Sequence, residues 1–323
     1  MSRLDNLQDN LKKQIGDVLP DLDVVIGWEK GYDAVHATPL FIRAPEDLDR
    51  LMLGPLCIHN LATYLPGLKG KKIGVVVKGC DSRAVIELMQ EGLIKREDLT
   101  IFGVSCDGVV SLQKMKNIIP EFGCISAVET GTDGSIAVTL PSGVQTVPLA
   151  DVRAEKCDNC RYPDALEYDH FIGEVQNRPD VPAVHPSQEE FETWSDDERF
   201  AFWKHEMARC VRCYACRNAC PMCVCRDHCI ATTRDPQWLS QENSAAENWM
   251  FQMIHVMHLT GRCVECGECE RACPMDIPLM LLRRRMNQGV REVFDYEAGL
   301  DAHATPPLMT FKVEEDHITE RDW

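Results

Sequence analysis

The sequence predicts an α/β N-terminal domain with a partly parallel sheet, followed by a mainly α-helical domain dense in cysteine. Three observations predict it. The first half alternates short β-branched runs with helical stretches, the order that builds an α/β layer. The second half carries apolar residues at three- and four-residue spacing. Finally, of the 17 cysteines, eleven fall between Cys210 and Cys273, while Cys57, Cys80, Cys106, Cys124, Cys157 and Cys160 are spread over the first half. At 323 residues the chain is long enough for two hydrophobic cores.

From the N-terminus, MSRLDNLQDNLKKQIGDVL is polar and amphipathic without an apolar h-region, so no signal peptide is expected. KKIGVVVKGCD reads as a strand ending in a glycine turn, and SRAVIELMQEGLI as the helix after it. DLTIFGVSCDG repeats the strand and turn. GSIAVTLPSGVQTVPL reads as a hairpin turning at Pro141, Ser142 and Gly143. NRPDVPAVHPSQEE, residues 177–190, is proline-rich and polar and reads as a linker. Beyond it, FETWSDDERFAFWKHEMARC and ENWMFQMIHVMHL read as helices, with Met250, Met253 and Met257 as core residues. The expected units are an α/β domain over 1–176, the linker over 177–190, a helical domain over 191–295 and an acidic tail over 296–323, solvated at EEDHITERD.

The net charge of -17 argues against nonspecific nucleic-acid binding. No apolar run approaches the roughly 18 residues that a membrane span needs. Tight C-x2-C clusters are a poor disulfide framework and read as metal ligands in a reducing, cytoplasmic setting.

The metal signal is specific. Cys210-x2-Cys213-x2-Cys216-x3-Cys220-Pro221 matches the iron–sulfur run C-x2-C-x2-C-x3-C-P, and Cys263-x2-Cys266-x2-Cys269-x3-Cys273-Pro274 repeats it. Three thiolates on a tight loop grip one cubane, and the fourth cysteine points away to the other. The expected 4Fe–4S ligand sets are Cys210, Cys213, Cys216 with Cys273, and Cys263, Cys266, Cys269 with Cys220. Zinc would favour two pairs of ligands over two triplets each trailed by Cys-Pro. The gap from Cys220 to Cys263 has room for a helix. With HVMHLTGRCVECGECERACPMDIPL, it makes this region resemble the helical dicluster ferredoxin domains of heterodisulfide reductase and succinate dehydrogenase iron–sulfur subunits.

In the first half, Cys80 and Cys106 each follow a strand and precede an aspartate, where ligands gather at sheet ends. A cysteine opening a helix is expected to have a lowered pKa. With the Cys157-x2-Cys160 pair they make a candidate third cluster; the competing reading is that Cys80 and Cys106 are small buried hydrophobes. Cys57 and Cys124 read as core residues; Lys78 either neutralises a cluster or faces solvent, and the second reading is the simpler one.

GVVVKGCDSRAVIELM, GVSCDG and CDNCRYPDALEYDHFIG resemble the beta-subunit family of deazaflavin-reducing hydrogenases and formate dehydrogenases, and are similar to sulfhydrogenase and anaerobic sulfite reductase subunits. Those relatives often carry Pro-Cys-Asp where this chain has Gly79-Cys80-Asp81. The resemblance implies ferredoxin-type clusters joined to a domain that binds a cluster, a flavin or both. No G-x-G-x-x-G follows a strand, which weakens the flavin reading.

Cys223, Cys225 and Cys229 remain beyond the two runs. They read as packed thiols, as ligands of a further metal with His228 or a distant cysteine, or as redox-active or partner-facing thiols. A similar Cys-Pro-x-Cys-x-Cys run occurs in the sulfhydrogenase and sulfite-reductase relatives. Arg209, Arg212 and Arg217 either offset cluster charge or lie on the surface. Arg283, Arg284 and Arg285 read as a solvated helical face. No catalytic residues and no nucleotide loop stand out. The expectation is an iron–sulfur electron-transfer subunit of a multi-subunit anaerobic oxidoreductase. It would relay single electrons through two or three 4Fe–4S clusters between a catalytic subunit (hydrogenase, formate dehydrogenase or heterodisulfide-reductase-like) and a redox partner. The alternative is a flavin-containing catalytic beta subunit that exchanges electrons with a nicotinamide or deazaflavin carrier.

Overall fold

The computed structural model describes residues 3–131, 134–176, 178, 180–225, 229–231 and 239–310. His228 and the acidic stretch 314–322 lie outside the described residues. The chain opens with α1 (Arg3–Val18), whose Leu11 and Ile15 are buried. Strands β1 (Val24–Lys30), β2 (Ala37–Ile42) and the short β3 (Leu51–Met52) follow. Next come β4 (Ile73–Val77), α2 (Gly79–Gln90), β5 (Leu99–Val104) and α3 (Leu112–Ile118). A three-stranded antiparallel sheet is built from β6 (Ala127–Thr130), β7 (Ile136–Leu140) and β8 (Gly143–Val147). The single turns α4 (Leu149–Val152) and α5 (Glu155–Asp158) lead back to β9 (His170–Ile172).

The main sheet runs β2-β1-β4-β5-β9, with β3 also on β1. Pairs β1–β4, β4–β5 and β5–β9 are parallel, whereas β1–β2 and β1–β3 are antiparallel. Every residue of β4 is buried, as a central parallel strand covered on both faces requires. Each buried Val or Ile there contributes about 1.5–3 kcal/mol of apolar transfer. The polar α1 and the first hairpin, which lack a strong run of their own, are held by this core through Leu11, Ile15, Trp28 and Ile42.

The helical half contains α6 (Pro186–Glu192), α7 (Asp196–Arg209), α8 (Ala215–Ala219), α9 (Ala245–Met257), α10 (Glu268–Arg271) and α11 (Leu279–Phe294). Ser195 and Glu198 form a capping box that starts α7. The expected linker is thus partly helical: α6 begins at Pro186, a favoured first position, and buries Phe191. Met250 and Met257 are exposed rather than core, because α9 turns Phe251, Gln252, His255 and Val256 inward. Among the described residues, no helix is long and apolar enough to cross a membrane.

The two halves are joined along α2. Arg83 donates to the Ala298 carbonyl at 2.8 Å and pairs with Glu297, which also receives Arg161 at 2.8 Å. Gln90 donates to the carbonyls of Asp301 and Ala304. Residues 297–304 therefore strap α2, and the part of the expected tail that begins at 296 is packed structure. Arg262, next to Cys263, forms an ion pair with Glu91, with Nη2 2.5 Å from Oε2.

Beside this pair, Glu87 is buried and receives the Tyr296 hydroxyl at 3.2 Å. Burial, and then the charge of Glu91, push its pKa from 4.5 up to about 7, against the pull of Tyr296 and Arg262. A raised acid stabilises the fold below its unfolded pKa, and that contribution is lost as pH rises through about 7. We predict that Glu87→Gln gains on the wild type by about 2–3 kcal/mol between about pH 5 and pH 8. Denaturant titrations of both proteins at the two pH values would show this; parallel pH curves would refute it.

Candidate iron–sulfur centres

The two cysteine runs fold into loops of one shape. In the first, Arg212 (φ 47°) and Tyr214 (φ 62°) are left-handed; in the second, Glu265 (φ 56°) and Gly267 (φ 69°) occupy the same positions. A left-handed non-glycine residue costs about 1 kcal/mol or more, so three such residues mark loops held by their surroundings. The Arg212 amide donates to Cys210 Sγ at 3.4 Å. Each loop runs into a short helix, α8 or α10, and the two helices pack together. Asn248 on α9 donates to the Cys210 carbonyl at 2.8 Å, and Asn287 on α11 donates to that of Cys263 at 2.7 Å.

This packing exchanges the last cysteines. Cys273 lines one open cavity of about 300 Å³ with Cys210, Cys213 and Cys216. Gln252 forms the wall nearest Cys216, 3.8 Å from its sulfur. Cys220 lies beside the other triplet: burial raises the pKa of Cys263 to about 11 and that of Cys266 and Cys269 further, and the Cys220 charge adds to each. Burial likewise raises Cys216 to about 11. Such thiols stay protonated in the bare chain, so a metal that binds them must displace the protons.

Buried cations work the other way. Arg283 is 2 % exposed and lies where its charge lowers the pKa of Cys216, Cys220, Cys263 and Cys269. It donates to the His255 carbonyl and to His255 Nδ1, both at 2.8 Å. Arginine only donates, so Nδ1 accepts and the neutral ring carries its proton on Nε2, 3.4 Å from Cys223 Sγ. Arg284 is also buried and binds Glu155 at 2.9 Å; only Arg285 of the three is exposed. The solvated-face reading therefore fails for two of the three, because α11 buries the side that faces the cysteine loops. Arg209 pairs with Glu206, and Arg217 donates to the Cys225 carbonyl, so neither is simply a surface charge.

Cys223 packs against the α/β core and shares a hydrogen bond with Cys220. Cys225 is exposed and Cys229 packs with the helical core, so the three point to different surroundings. Among the described residues, no three His, Cys, Asp or Glu side chains converge as a single metal ion requires. A cubane spreads its thiolates around a four-iron core, so its ligands stand further apart than those of a single ion.

In the α/β half, Cys80, Cys106, Cys157 and Cys160 line one open cavity of about 870 Å³. Cys80 stands in the first turn of α2, Cys106 follows β5, and Cys157 and Cys160 come from α5 and the turn after it. Cys106 is pushed up to about 12, chiefly by burial and then by Cys157. Cys80 is raised well above the usual thiol range by burial and then by Asp81; this reverses the lowering expected at a helix start, since burial outweighs the helix dipole. Lys78 is 4 % exposed, not solvent-facing: Nζ lies 2.7 Å from Asp81 and 4.0 Å from the centre of the Trp28 ring. Burial opposes its charge, but Asp81, Cys80 and Cys106 together raise its pKa. Cys57 is buried as expected; Cys124 is exposed, on a short turn at the rim of the small sheet.

Residues 209–277 match the 4Fe-4S dicluster domain family. The C-terminal region of this chain carries a 4Fe-4S dicluster domain. Over 72 residues the chain is 33% identical to NADH-quinone oxidoreductase subunit I 2 of Geobacter metallireducens, a match covering 22% of this chain and 44% of that one. Along most of its length the chain is 25% identical to the F420-dependent formate dehydrogenase subunit beta of Methanocaldococcus jannaschii, with 90% of both chains covered. It is 24% identical to F420-dependent formate dehydrogenase 1 subunit beta of Methanococcus maripaludis, with 89% of both covered. These beta subunits are its homologues, as the sequence resemblance implied.

Sequence reasoning missed Arg283, His255 and the role of Trp28, whose only signals were a basic run, a histidine on an apolar helix and a tryptophan in an unassigned strand. It also missed why glycine stands at position 79. A Cβ at Gly79 would lie inside the contact radius of the Tyr162 carbonyl, because the segment after Cys160 packs onto the start of α2. Leu166 N donates to Ser82 Oγ in the same contact. Gly79→Ala is predicted to destabilise the protein by about 2 kcal/mol. Gly289→Ala, on α11 with nothing within 4 Å of the new methyl, should gain about 0.5–1 kcal/mol. Thermal unfolding of both variants beside the wild type would decide, and equal midpoints would refute the packing argument.

Proposed function

We propose that this protein is the electron-transfer subunit of a multi-subunit anaerobic oxidoreductase in a reducing cytoplasm, and that it carries three 4Fe–4S centres. The ligand sets are Cys210, Cys213, Cys216 and Cys273; Cys263, Cys266, Cys269 and Cys220; and Cys80, Cys106, Cys157 and Cys160. Such centres supply one-electron transfer with little rearrangement. The observation that carries the reading is the gathering of twelve cysteines into three groups, two facing each other in the dicluster domain and one at the sheet end of the α/β domain. The chain's own residues bury the groups, supply the cations Arg283 and Lys78, and exclude water with α9 and α11. Partners come from the relatives: a catalytic subunit of the formate dehydrogenase or hydrogenase kind at one end, a redox carrier at the other.

A second cavity favours the flavin-containing catalytic reading as the alternative. It is open to solvent and shares Lys78, Cys106 and Gly108 with the third cysteine cavity. Its other walls include Leu4, Leu7, Leu53 and Leu149, apolar surfaces suited to a flat ring. A two-electron carrier there would stand beside the third group and exchange electrons with a nicotinamide or deazaflavin.

Anaerobically purified protein should hold about twelve irons per chain, and Cys106→Ser about eight. Cys57→Ser should change neither. Iron near eight in the wild type would remove the third centre. Acid extraction of the same sample reads the alternative: flavin equimolar with protein would establish it, and none would leave the relay.

A further inference from the structure

Lys156 opens toward the third cysteine cavity through its backbone and closes on the dicluster domain through its tip. It immediately precedes Cys157 and lines the cavity of Cys80, Cys106, Cys157 and Cys160. Its Nζ donates to the Cys266 carbonyl at 2.6 Å, across the boundary between the two halves. The side chain is 10 % exposed. Glu268, itself buried, stands 3.9 Å from Nζ and is shared with Arg271 at 2.9 Å, so it neutralises the lysine only in part.

The second loop is shaped to admit this side chain. The first loop has Tyr214 at its second left-handed position, and the second has Gly267. A Cβ on Gly267 would come within 2.8 Å of Lys156 Cδ. Glycine thus serves two ends here: it removes the cost of φ 69° and leaves the groove in which the aliphatic stem lies. The second set lies between the two cores: Cys220, Cys263 and Cys266 pack with the α/β core, as Cys80 does, while Cys269 packs with Cys210, Cys216 and Cys273 in the helical core.

We infer that Lys156 is the junction between the third and second centres, a fixed positive charge and hydrogen-bonded bridge that holds up the reduction potentials of both. This rests on the proposed third centre. The physical basis is that a reduced centre gains one negative charge, and a cation fixed in a poorly solvated site stabilises that charge. One electron crossing the junction oxidises one centre and reduces its neighbour, and no proton or atom is transferred. Lys156 sits beside Cys157 in the chain and on the Cys266 carbonyl, so it acts on both centres, whereas Arg283 serves the two dicluster sets. It is a positioning residue and touches no substrate. The relay then runs from the α/β cavity to the Cys263 set and on to the Cys210 set.

The test compares full-length, anaerobically prepared wild type, Lys156→Met, Lys156→Arg and Glu268→Gln by iron content and potentiometric titration followed by electron paramagnetic resonance. Lys156→Met should keep its iron, lower two of three midpoint potentials and leave the third in place. Lys156→Arg should restore both. Glu268→Gln, which frees the lysine charge, should raise the potential of the second centre. Lys156→Met with full iron and unmoved potentials, or with one potential moved, would overturn the junction and leave the three-centre reading intact. Wild-type iron near eight would overturn both, because the junction would then have only one side. Should Lys156→Met lose iron, the Glu268→Gln shift decides: a raised potential supports the lysine charge, and an unmoved one removes it.

Discussion

Thiolate groups that bind iron carry negative charge, and this chain buries them in a protein whose own net charge is already -17. Burial is the largest cause that raises the pKa of Cys106, Cys216 and Cys263, a cost of the arrangement before metal binds. The structure answers with cations that are buried too. Arg283 lies among the dicluster cysteines, Lys78 faces the α/β cavity, and Lys156 stands between them. Much of the surrounding packing follows from placing these charges. Trp28 lies under Lys78, His255 is fixed by Arg283, and Gly267 makes way for Lys156.

The same requirement explains why the two halves form one body. An electron path needs its stations close together, and a boundary that shifted would break it. The boundary here is tied by directional contacts: Arg83 and Arg161 on Glu297, Arg262 on Glu91, Gln90 on two carbonyls of the strap. Paired charges of this kind stabilise less than apolar burial, yet they fix register, since each has a single good geometry.

The sequence made legible whatever depends on local spacing. The two C-x2-C-x2-C-x3-C-P runs, β4 with α2, β5, the hairpin of β7 and β8, and helices α7 and α9 all follow from periods and turn residues. The α/β class followed from their alternation. What stayed hidden depends on tertiary partners. Lys78 and Arg284 look solvated because charged residues usually are, and only the folded chain shows Asp81 and Glu155 waiting for them. Cys124 looks like a core residue among apolar neighbours but lies on a turn at the sheet's rim. The strap over α2 has no periodicity to announce it. Gly79 could be read only as a departure from its relatives until the Tyr162 carbonyl was seen against it.

The crossing of Cys220 and Cys273 also sets a clock. A chain leaving the ribosome exposes Cys210, Cys213 and Cys216 long before residue 273 exists, so their cavity lacks one wall throughout that interval. Cys220 waits in the opposite sense for Cys263, Cys266 and Cys269. On the proposed ligand sets, neither group is whole until both loops have been made and α8 has packed on α10. With those sets, assembly of the two dicluster sites is a joint event and not a sequence of two independent ones.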